Sequence, residues 1–563
     1  MDRRSKIILS GKKFSFWDFF QYRKMTDSKA FYSIWFAVFL FLTVFILFPL
    51  ICVLLSPDIE DFKHVFSMQI WKKAAINTFF ECICSTLLSV IIGFIYAYAV
   101  YKTKIPFKKF FSFIPILHLL TPPFVGGLSF ILLLGKQGFI THTLLGLDVS
   151  LYGFKGLLIA QTLCFFPISY MICGEAIKGI DQNLIIAAKS LGAGHIKTFF
   201  TITLPLCLPS IFSSMLFIAV SVMSDFGNPM IVGGRFRVLA VEIYTQLTGW
   251  MNWGTSTVLG IILLIPSISM FIFQNKLTKK NLLKTATSSE KKDSLADETL
   301  KSCRIIKIFM TVFCIFISFC VLAQFISIIA GSFQKLWGID TTFTLKHIQN
   351  LKRCTKELSN SFSFSLISAL LSTFIGGFCV FFVYRTKSPL KKYFDVLVQL
   401  PAAVPGTLFG LAISIAASKL KFTNSAFLII IAITIGFMPF SFRSIASTVS
   451  QISTSLDDAA ASLGAGKIKT YFTIILPLSK GAFFNAFVYN FVRGVGTMSA
   501  VIFLVSFNTP LASIKILNLA EQGFWGDAAA LALLLTIITF AIIGLCKFIL
   551  FLGSKFWTVK KLH

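Results

Sequence analysis

The side chains that could do chemistry in this sequence are polar groups placed inside long apolar segments. Ionisable groups are costly in a lipid bilayer, and those that occur there commonly mark a substrate pathway. The polar residues predicted to lie at membrane depth are Glu81, Asp225, Asn485, Asn490 and Arg493. We interpret them as candidates for a translocation path. Hydrogen bonds between helices, or side chains that reach the bilayer surface, would explain each of them equally well.

Motifs for catalysis are absent from the sequence. The run GAGK at 464–467 lacks the spacing of a phosphate-binding loop, which needs G-x-x-x-x-G-K and then Ser or Thr, whereas Ile468 follows this lysine. No H-E-x-x-H or G-x-S-x-G motif occurs, and the six histidines show no metal-binding spacing. We therefore expect no catalytic residue, no metal site and no cofactor.

The elements that must position the polar groups are predicted from composition. Hydrophobic residues make up 56% of the 563 residues and charged residues only 13%, so membrane lipid must surround most of the chain. A helical crossing needs about 20 mainly apolar residues, because its backbone must satisfy its hydrogen bonds internally. Twelve spans are predicted, near 31–55, 75–100, 111–134, 156–175, 205–224, 254–274, 305–331, 361–383, 393–416, 425–441, 480–504 and 528–552.

The spans fall into two groups of six. Between the groups, the stretch 276–303 is rich in Lys, Ser, Thr and acidic residues, and we interpret it as a solvated linker. The predicted fold class is an all-α polytopic membrane protein with twelve transmembrane helices in two parallel six-helix repeats and a pathway between them. Its segments are an N-terminal tail (1–30), a first domain (31–275), the linker, a second domain (304–555) and a C-terminal tail (556–563).

Basic residues in short loops predict the orientation. The N-terminal tail, the loop with Lys102 and Lys104, the linker and the loop with Arg385 and Lys387 fall on one side, and such basic loops stay cytoplasmic. Both tails are therefore predicted to be cytoplasmic. Basic residues between spans seven and eight, such as Arg353, depart from this rule. Because the net charge of +29 is spread over these loops, it does not indicate nucleic-acid binding.

A polar loop of similar sequence occurs once in each half. The runs LGAGHIKTFFTITLPL and LGAGKIKTYFTIILPL differ at three of sixteen positions. In the second copy, Ser455 and Asp458 fit a capping box that begins a helix. Gly464 and Gly466 then offer positions where a positive φ costs little. The loop is predicted to form two helices joined by a turn, lying along the inner membrane face.

This loop resembles the signature of the permease subunits of type I ATP-binding-cassette importers, in which EAA is followed by three residues, Gly, nine residues and Ile-x-Leu-Pro. Asp458 replaces the glutamate in the second copy, and Ile186 occupies that position in the first. The resemblance implies that both loops are coupling helices that dock on a cytoplasmic ATPase dimer. The implied docking residues are Ala187, Ala188, Leu191 and Gly192 in the first copy and Asp458, Ala459, Ala460, Leu463 and Gly464 in the second.

Within this class, the chain is most similar to the fused ferric iron permeases, through the runs SDFGNPMIVGG from Ser224 and GTMSAVIFLVS from Gly496. That resemblance implies a multi-pass protein of the bacterial inner membrane, an extracytoplasmic substrate-binding protein, and ATP hydrolysis on a separate subunit. Permeases for thiamine, phosphonates, polyamines or oxyanions share the scaffold, so these substrates remain alternatives to ferric iron.

Two other functional classes are less well supported. An ion-coupled secondary transporter also commonly has twelve spans in parallel halves, but its mechanism does not call for the repeated loop. A membrane-embedded enzyme would need a nucleophile and base cluster that the sequence lacks. Among importers, the absence of an acid at Ile186 predicts that the two ATPase docking sites are not equivalent.

Overall fold

The computed structural model describes residues 29–119, 121–122, 124–146, 151–285, 304–386, 388 and 390–559. Most of the predicted N-terminal tail (1–28), much of the predicted linker (286–303) and the end of the predicted C-terminal tail (560–563) lie outside the described residues.

The first repeat is built of long apolar helices joined by short ones. Segments of π-helix cover Thr43–Leu47, Phe139–Leu144 and Phe199–Thr203. The α-helices are α1 (Lys29–Leu42), α2 (Phe48–Leu54), α3 (Ile59–Ser67), α4 (Gln69–Lys102), α5 (Lys108–Leu119), α6 (Phe124–Leu134), α7 (Phe154–Lys178), α8 (Gln182–Ser190), α9 (His195–Thr198), α10 (Leu204–Met223), α11 (Gly227–Val232), α12 (Leu239–Trp250) and α13 (Trp253–Thr285).

The second repeat follows the same order. Its 3-10 turns cover Leu351–Cys354 and Leu400–Ala403, and a π-helical segment covers Tyr471–Ile475. The α-helices are α14 (Arg304–Phe333), α15 (Lys346–Asn350), α16 (Thr355–Arg385), α17 (Lys391–Gln399), α18 (Gly406–Lys419), α19 (Ser425–Val449), α20 (Ser455–Ser462), α21 (Lys467–Thr470), α22 (Leu476–Leu478), α23 (Lys480–Val495), α24 (Ala512–Glu521) and α25 (Trp525–Val559).

The described residues contain nine helices that are long and apolar enough to cross a membrane, or eleven if two bent pairs each count as one crossing. The bent pairs join α17 to α18 at 108° and α21–α22 to α23 at 78°. These eleven correspond to eleven of the twelve predicted spans. The remaining span, 111–134, is divided into α5 and α6 on either side of Pro122, because proline cannot continue the hydrogen-bond ladder of a helix.

Equivalent helices pack in the same way in both repeats, which confirms the two-repeat prediction. In the first repeat α4 packs on α7, and in the second α16 packs on α19. A Cβ added at Gly93 would lie 2.5 Å from the Cβ of Ser169, and one added at Gly376 would lie 2.8 Å from the Cβ of Ser441. Glycine opposite serine thus lets each helix pair approach closely, as small residues do between membrane helices.

The first spanning helix of each repeat packs on the other repeat. In the first repeat, α2 packs on α18, and the ring of Trp35 in α1 stacks on Phe394 of α17 with centroids 5.6 Å apart. In the second, α14 packs on α6, and the hydroxyl of Ser318 lies 3.1 Å from the hydroxyl of Tyr96 in α4. The two repeats are therefore interlocked rather than simply placed side by side.

A short hairpin follows α14 and is a local addition to the helical fold. Its antiparallel strands are β1 (Gln334–Leu336) and β2 (Asp340–Phe343). The turn contains Gly338, with a φ of +74°. Hydrogen bonds from Thr342 and from the ammonium of Lys335 lower the pKa of Asp340 to about 2. The hairpin occupies the connection between spans seven and eight.

Candidate functional site

The repeated loop forms the predicted helix-turn-helix in both halves. Each first helix, α8 or α20, is followed two residues after its end by a glycine with a left-handed φ, +79° at Gly192 and +75° at Gly464. Beyond that glycine, the amide of Ala465 donates to the carbonyl of Ala460, and the amide of Ala193 donates to that of Ala188, both at 2.9 Å. Such bonds satisfy the free carbonyls at a helix C-terminus, so glycine ends the helix.

Two details of the predicted loop are wrong. Ser455 does not cap α20: Thr454 is the N-cap residue without a side-chain capping bond, and the Ser455 hydroxyl pairs with that of Ser453. Gly466 has a φ of −70° and is the N-cap residue of α21, so it does not use the left-handed region. In the second copy, Gly464 alone provides the turn.

The tips of both loops present an exposed leucine. Leu191 and Leu463 are each 88% exposed, although leucine is normally buried. Around them, Ala187, Gly192, Asp458, Ala459 and Gly464 are exposed, Ala188 is partly exposed, and Ala460 is buried. Each loop therefore presents a protruding leucine among small residues, with one carboxylate, Asp458, beside the tip of the second loop.

The two loops are attached to their repeats differently. In the second repeat, the guanidinium of Arg385 donates to Asp457 at 2.9 Å and to the carbonyls of Val449 and Ile452 at 2.6 Å. In the first repeat, Ile185 occupies the position of Asp457 and is buried in an apolar cluster. Arg385 and Asp457 were not among the sequence candidates. The available sequence signal is the replacement of Lys102 by Arg385 between the equivalent runs YKTK and YRTK, at the ends of α4 and α16.

A cavity of 250 Å³ lies between the two repeats. Its walls come from α7, α10 and α13 of the first repeat and from α18, α19, α23 and the adjoining loops of the second. Phenylalanine and other apolar residues form most of the surface. The polar lining residues are Ser221, Ser224, Asp225, Gln274, Arg443, Tyr489, Arg493, Thr497 and Ser499.

The charged groups of the cavity differ in how they are paired. The carboxylate of Asp225 accepts hydrogen bonds from the side-chain amides of Gln161, at 3.1 Å, and Asn228, at 2.8 Å. Arg493 comes from the opposite repeat and interacts with Asp225 electrostatically. Within the part of the chain that the structure describes, Arg493 has no hydrogen bond and no ion pair.

Arg443 is a lining residue that the sequence analysis missed. Its guanidinium donates to Gln399 at 3.1 Å and, across the repeat interface, to Asn275 at 3.0 Å. It also lies 5.4 Å from the centre of the Phe271 ring. The predicted tenth span stopped at residue 441, whereas α19 continues to Val449. The true helix length therefore places Arg443 inside a span rather than in the loop.

The other predicted pathway residues lie elsewhere. Glu81 is 2% exposed, is not a lining residue, and its Oε1 atom has no hydrogen-bond partner among the described residues. Asn490 is buried and donates to the hydroxyls of Ser372 and Ser441, so it joins α23 to α16 and α19. Asn485 is exposed and lies outside the cavity lining. Of the five candidates, the structure brings Asp225 and Arg493 together at the cavity.

Comparison with protein families matches residues 89–282 and 368–551 to the binding-protein-dependent transport system inner membrane component. The two matches fall one in each repeat, and each contains a copy of the helix-turn-helix loop.

Individual proteins are also similar to this chain. The ferric transport system permease protein FbpB of Actinobacillus pleuropneumoniae is 32% identical over 90% of this chain and 76% of its own length. The Fe(3+)-transport system permease protein FbpB 2 of Haemophilus influenzae is 24% identical over 82% of this chain and 87% of its own length. The molybdenum transport system permease protein ModB of Escherichia coli is 29% identical over 29% of this chain and 74% of its own length.

Proposed function

This chain belongs to the family of binding-protein-dependent transport system inner membrane components, and on that premise we propose that it carries ferric iron through the cavity between its repeats. The observation that supports this cargo is the 32% identity to a ferric transport permease over 90% of the chain. The molybdenum permease matches only 29% of the chain, so it supports the family more than the cargo. Thiamine, phosphonate and polyamine remain the other cargoes to test.

The proposed cycle uses both faces of the protein. An extracytoplasmic binding protein delivers the cargo to one face, and an ATPase dimer, which supplies all ATP hydrolysis, closes on the loops that contain α8 and α20 on the other. Both tails lie on the ATPase side. Since α8 connects α7 to α10 and α20 connects α19 to α23, closure would move the helices that line the cavity and change the side on which it opens.

The exposed loop tips support the ATPase docking sites. Leu191 and Leu463 are the most exposed residues of their helix-turn-helix segments that carry a large apolar side chain, and burying each in a partner groove would remove that surface from water. The proposed docking residues are those of the sequence signature: Ala187, Ala188, Leu191 and Gly192 in the first repeat, and Asp458, Ala459, Ala460, Leu463 and Gly464 in the second. The domains 31–275 and 304–555 each contribute one docking site.

Reconstitution of the complete importer tests this function. The chain, its ATPase and its binding protein are placed in proteoliposomes, and uptake of ⁵⁵Fe(III) is measured. We expect uptake that requires both ATP and the binding protein and that continues when a protonophore and a sodium ionophore are added. Uptake that persists without ATP and collapses with the ion gradient would indicate a secondary transporter. A binding protein that binds thiamine, an organophosphonate or a polyamine in place of iron would overturn the ferric assignment.

A further inference from the structure

The central cavity carries more positive than negative charge. Its charged lining residues are Asp225, Arg443 and Arg493, which gives one carboxylate and two guanidinium groups. Apolar walls keep the local dielectric low, so these charges act more strongly than they would in water. Two further carboxylates, Asp395 and Glu81, interact electrostatically with Arg443 and Asp225 from outside the lining. The surface that a cargo would contact nevertheless carries a net positive charge.

The carboxylate of Asp225 is largely engaged by its own repeat. One oxygen accepts from both Gln161 and Asn228, and the other accepts from the backbone amide of Asn228 at 3.4 Å. These donors compete with any metal for the carboxylate oxygens. Asp225 therefore offers little unoccupied negative charge to a cation in the cavity.

The two guanidinium groups lack a carboxylate in direct contact. Arg443 donates to amide oxygens of Gln399 and Asn275, which are neutral. Arg493 donates to no described residue and makes no ion pair with one, although it lines the cavity. A guanidinium has five N–H donors in a planar fork that matches carboxylate and phosphate groups. The N–H donors of Arg493 are thus available to an oxyanion that enters the cavity.

Hydroxyl groups also line the cavity. Tyr489, Thr497 and Ser499 of the second repeat line the cavity, and their hydroxyls donate to no described residue. Ser221 and Ser224 of the first repeat also line it, but their hydroxyls donate to the carbonyls of Phe217 and Val220 in their own helix. Hydroxyls donate readily to anionic oxygens and accept from protonated ones. The phenyl ring of Phe440 stacks on Tyr489 with ring centroids 3.5 Å apart, which fixes the plane of the tyrosine ring.

We propose that Arg493, with Arg443, forms an oxyanion subsite in the central cavity, and that the transported ferric species carries a carboxylate or phosphate ligand into it. The inference rests on the proposed transport of iron and specifies the form of the cargo. The oxyanion offsets the positive charge of iron, and its outer oxygens receive the guanidinium donors. No bond of the complex has to break in the cavity.

Direct anion binding tests the subsite without transport. The purified complete importer in lipid nanodiscs is titrated separately with ³³P-phosphate and ¹⁴C-citrate in a scintillation proximity assay. Charged hydrogen bonds of this kind are expected to contribute roughly tenfold to a hundredfold to affinity. Arg493→Gln should weaken binding of at least one probe by this factor, and Arg443→Gln should also weaken it. Arg493→Lys, which keeps the charge but not the fork, should fall between wild type and glutamine.

A matched control comes from Arg235, which is exposed and lies outside the cavity lining. Arg235→Gln removes the same charge and should leave binding unchanged. Which probe responds to Arg493→Gln distinguishes a phosphate from a carboxylate ligand. Binding that is equal in wild type and Arg493→Gln, or that falls equally in Arg235→Gln, would contradict the subsite. Absence of binding of both probes to a well-folded wild type would contradict it as well.

Double-label transport separates this inference from the proposed function. Proteoliposomes with the complete importer receive ⁵⁵Fe on the binding protein together with one labelled anion. Joint accumulation of both labels, reduced by Arg493→Gln, is the expected result. Iron accumulation without either anion, and unchanged in Arg493→Gln, would overturn the oxyanion ligand but leave iron transport intact. Anion accumulation without iron would overturn the ferric cargo and, with it, the ferric complex.

Discussion

The guanidinium of Arg385 donates a hydrogen bond of 2.9 Å to the carboxylate of Asp457, and so joins the end of α16 to the first turn of α20. The arginine side chain is only 2% exposed and that of the aspartate 24%. The second terminal nitrogen of Arg385 donates to the carbonyls of Val449, the last residue of α19, and of Ile452, which follows it. The second loop is thereby fixed to two spanning helices at once, whereas the first loop has buried Ile185 at the equivalent place.

Arg385→Ala should speed amide hydrogen exchange in the second loop far more than Lys102→Ala speeds it in the first. Truncating one partner of a buried ion pair costs about 3–5 kcal/mol, which corresponds to amide hydrogen exchange at least a hundredfold faster in residues 449–463. The control is Lys102→Ala, which changes the equivalent basic residue. Arg385→Ala combined with Asp457→Ala should cost less than the sum of the single changes. Equal acceleration of both loops by their respective variants would contradict this anchor.

Asp458→Ala should impair coupling to the ATPase more than Ile186→Ala. Asp458 is exposed and, since it carries no structural ion pair among the described residues, its removal should change the stability of the chain by less than about 0.5 kcal/mol. Its effect should therefore appear only when the ATPase is present. The measurement is ATPase stimulation by the loaded binding protein in the reconstituted importer. Identical loss in the two variants would show that the acid does not distinguish the docking sites.

Gly464→Ala should destabilise the second loop more than Gly466→Ala. A Cβ at either position would meet nothing within 4 Å, so steric contact does not separate the two variants. Only Gly464 has a left-handed φ, and alanine there is strained by roughly 1–2 kcal/mol. Hydrogen exchange of α20 is the measurement, with Gly192→Ala and Gly194→Ala as the corresponding pair in the first repeat. Indistinguishable exchange in Gly464→Ala and Gly466→Ala would contradict the turn.

Gly93→Ala should destabilise the first repeat by overpacking. The new methyl group would lie 2.5 Å from the Cβ of Ser169 and 2.6 Å from the carbonyl oxygen of Phe166, and extra carbon in a packed interior costs about 1–3 kcal/mol. Gly376→Ala should act in the same way in the second repeat. Gly544→Ala is the control, because that helical glycine is exposed with open space around it. Thermal melting of the purified importer should rank both interface variants below wild type and Gly544→Ala.

Much of the architecture was predictable from local sequence. Eleven of the twelve predicted spans correspond, among the described residues, to single helices or bent helix pairs that are long and apolar enough to cross a membrane. Local sequence predicts these segments well because a helix in lipid needs only a long apolar run that satisfies its own backbone. The third span was predicted as one continuous helix, whereas the structure divides it on either side of Pro122. The tenth span was predicted to end at residue 441, whereas the helix continues to Val449. Boundaries fail where a helix continues past its apolar run, as α19 does through Arg443 to Val449.

The sequence by itself determined the spanning helices, their repetition, and the two loops in which a glycine ends a helix, since each depends on neighbours along the chain. The tertiary structure decided which distant residues meet. It placed α2 and α14 on the opposite repeats, brought Asp225, Arg443 and Arg493 to one cavity, and paired Arg385 with Asp457. Helix packing depends on the shapes of surfaces far apart in sequence, and a hydropathy pattern does not contain those shapes.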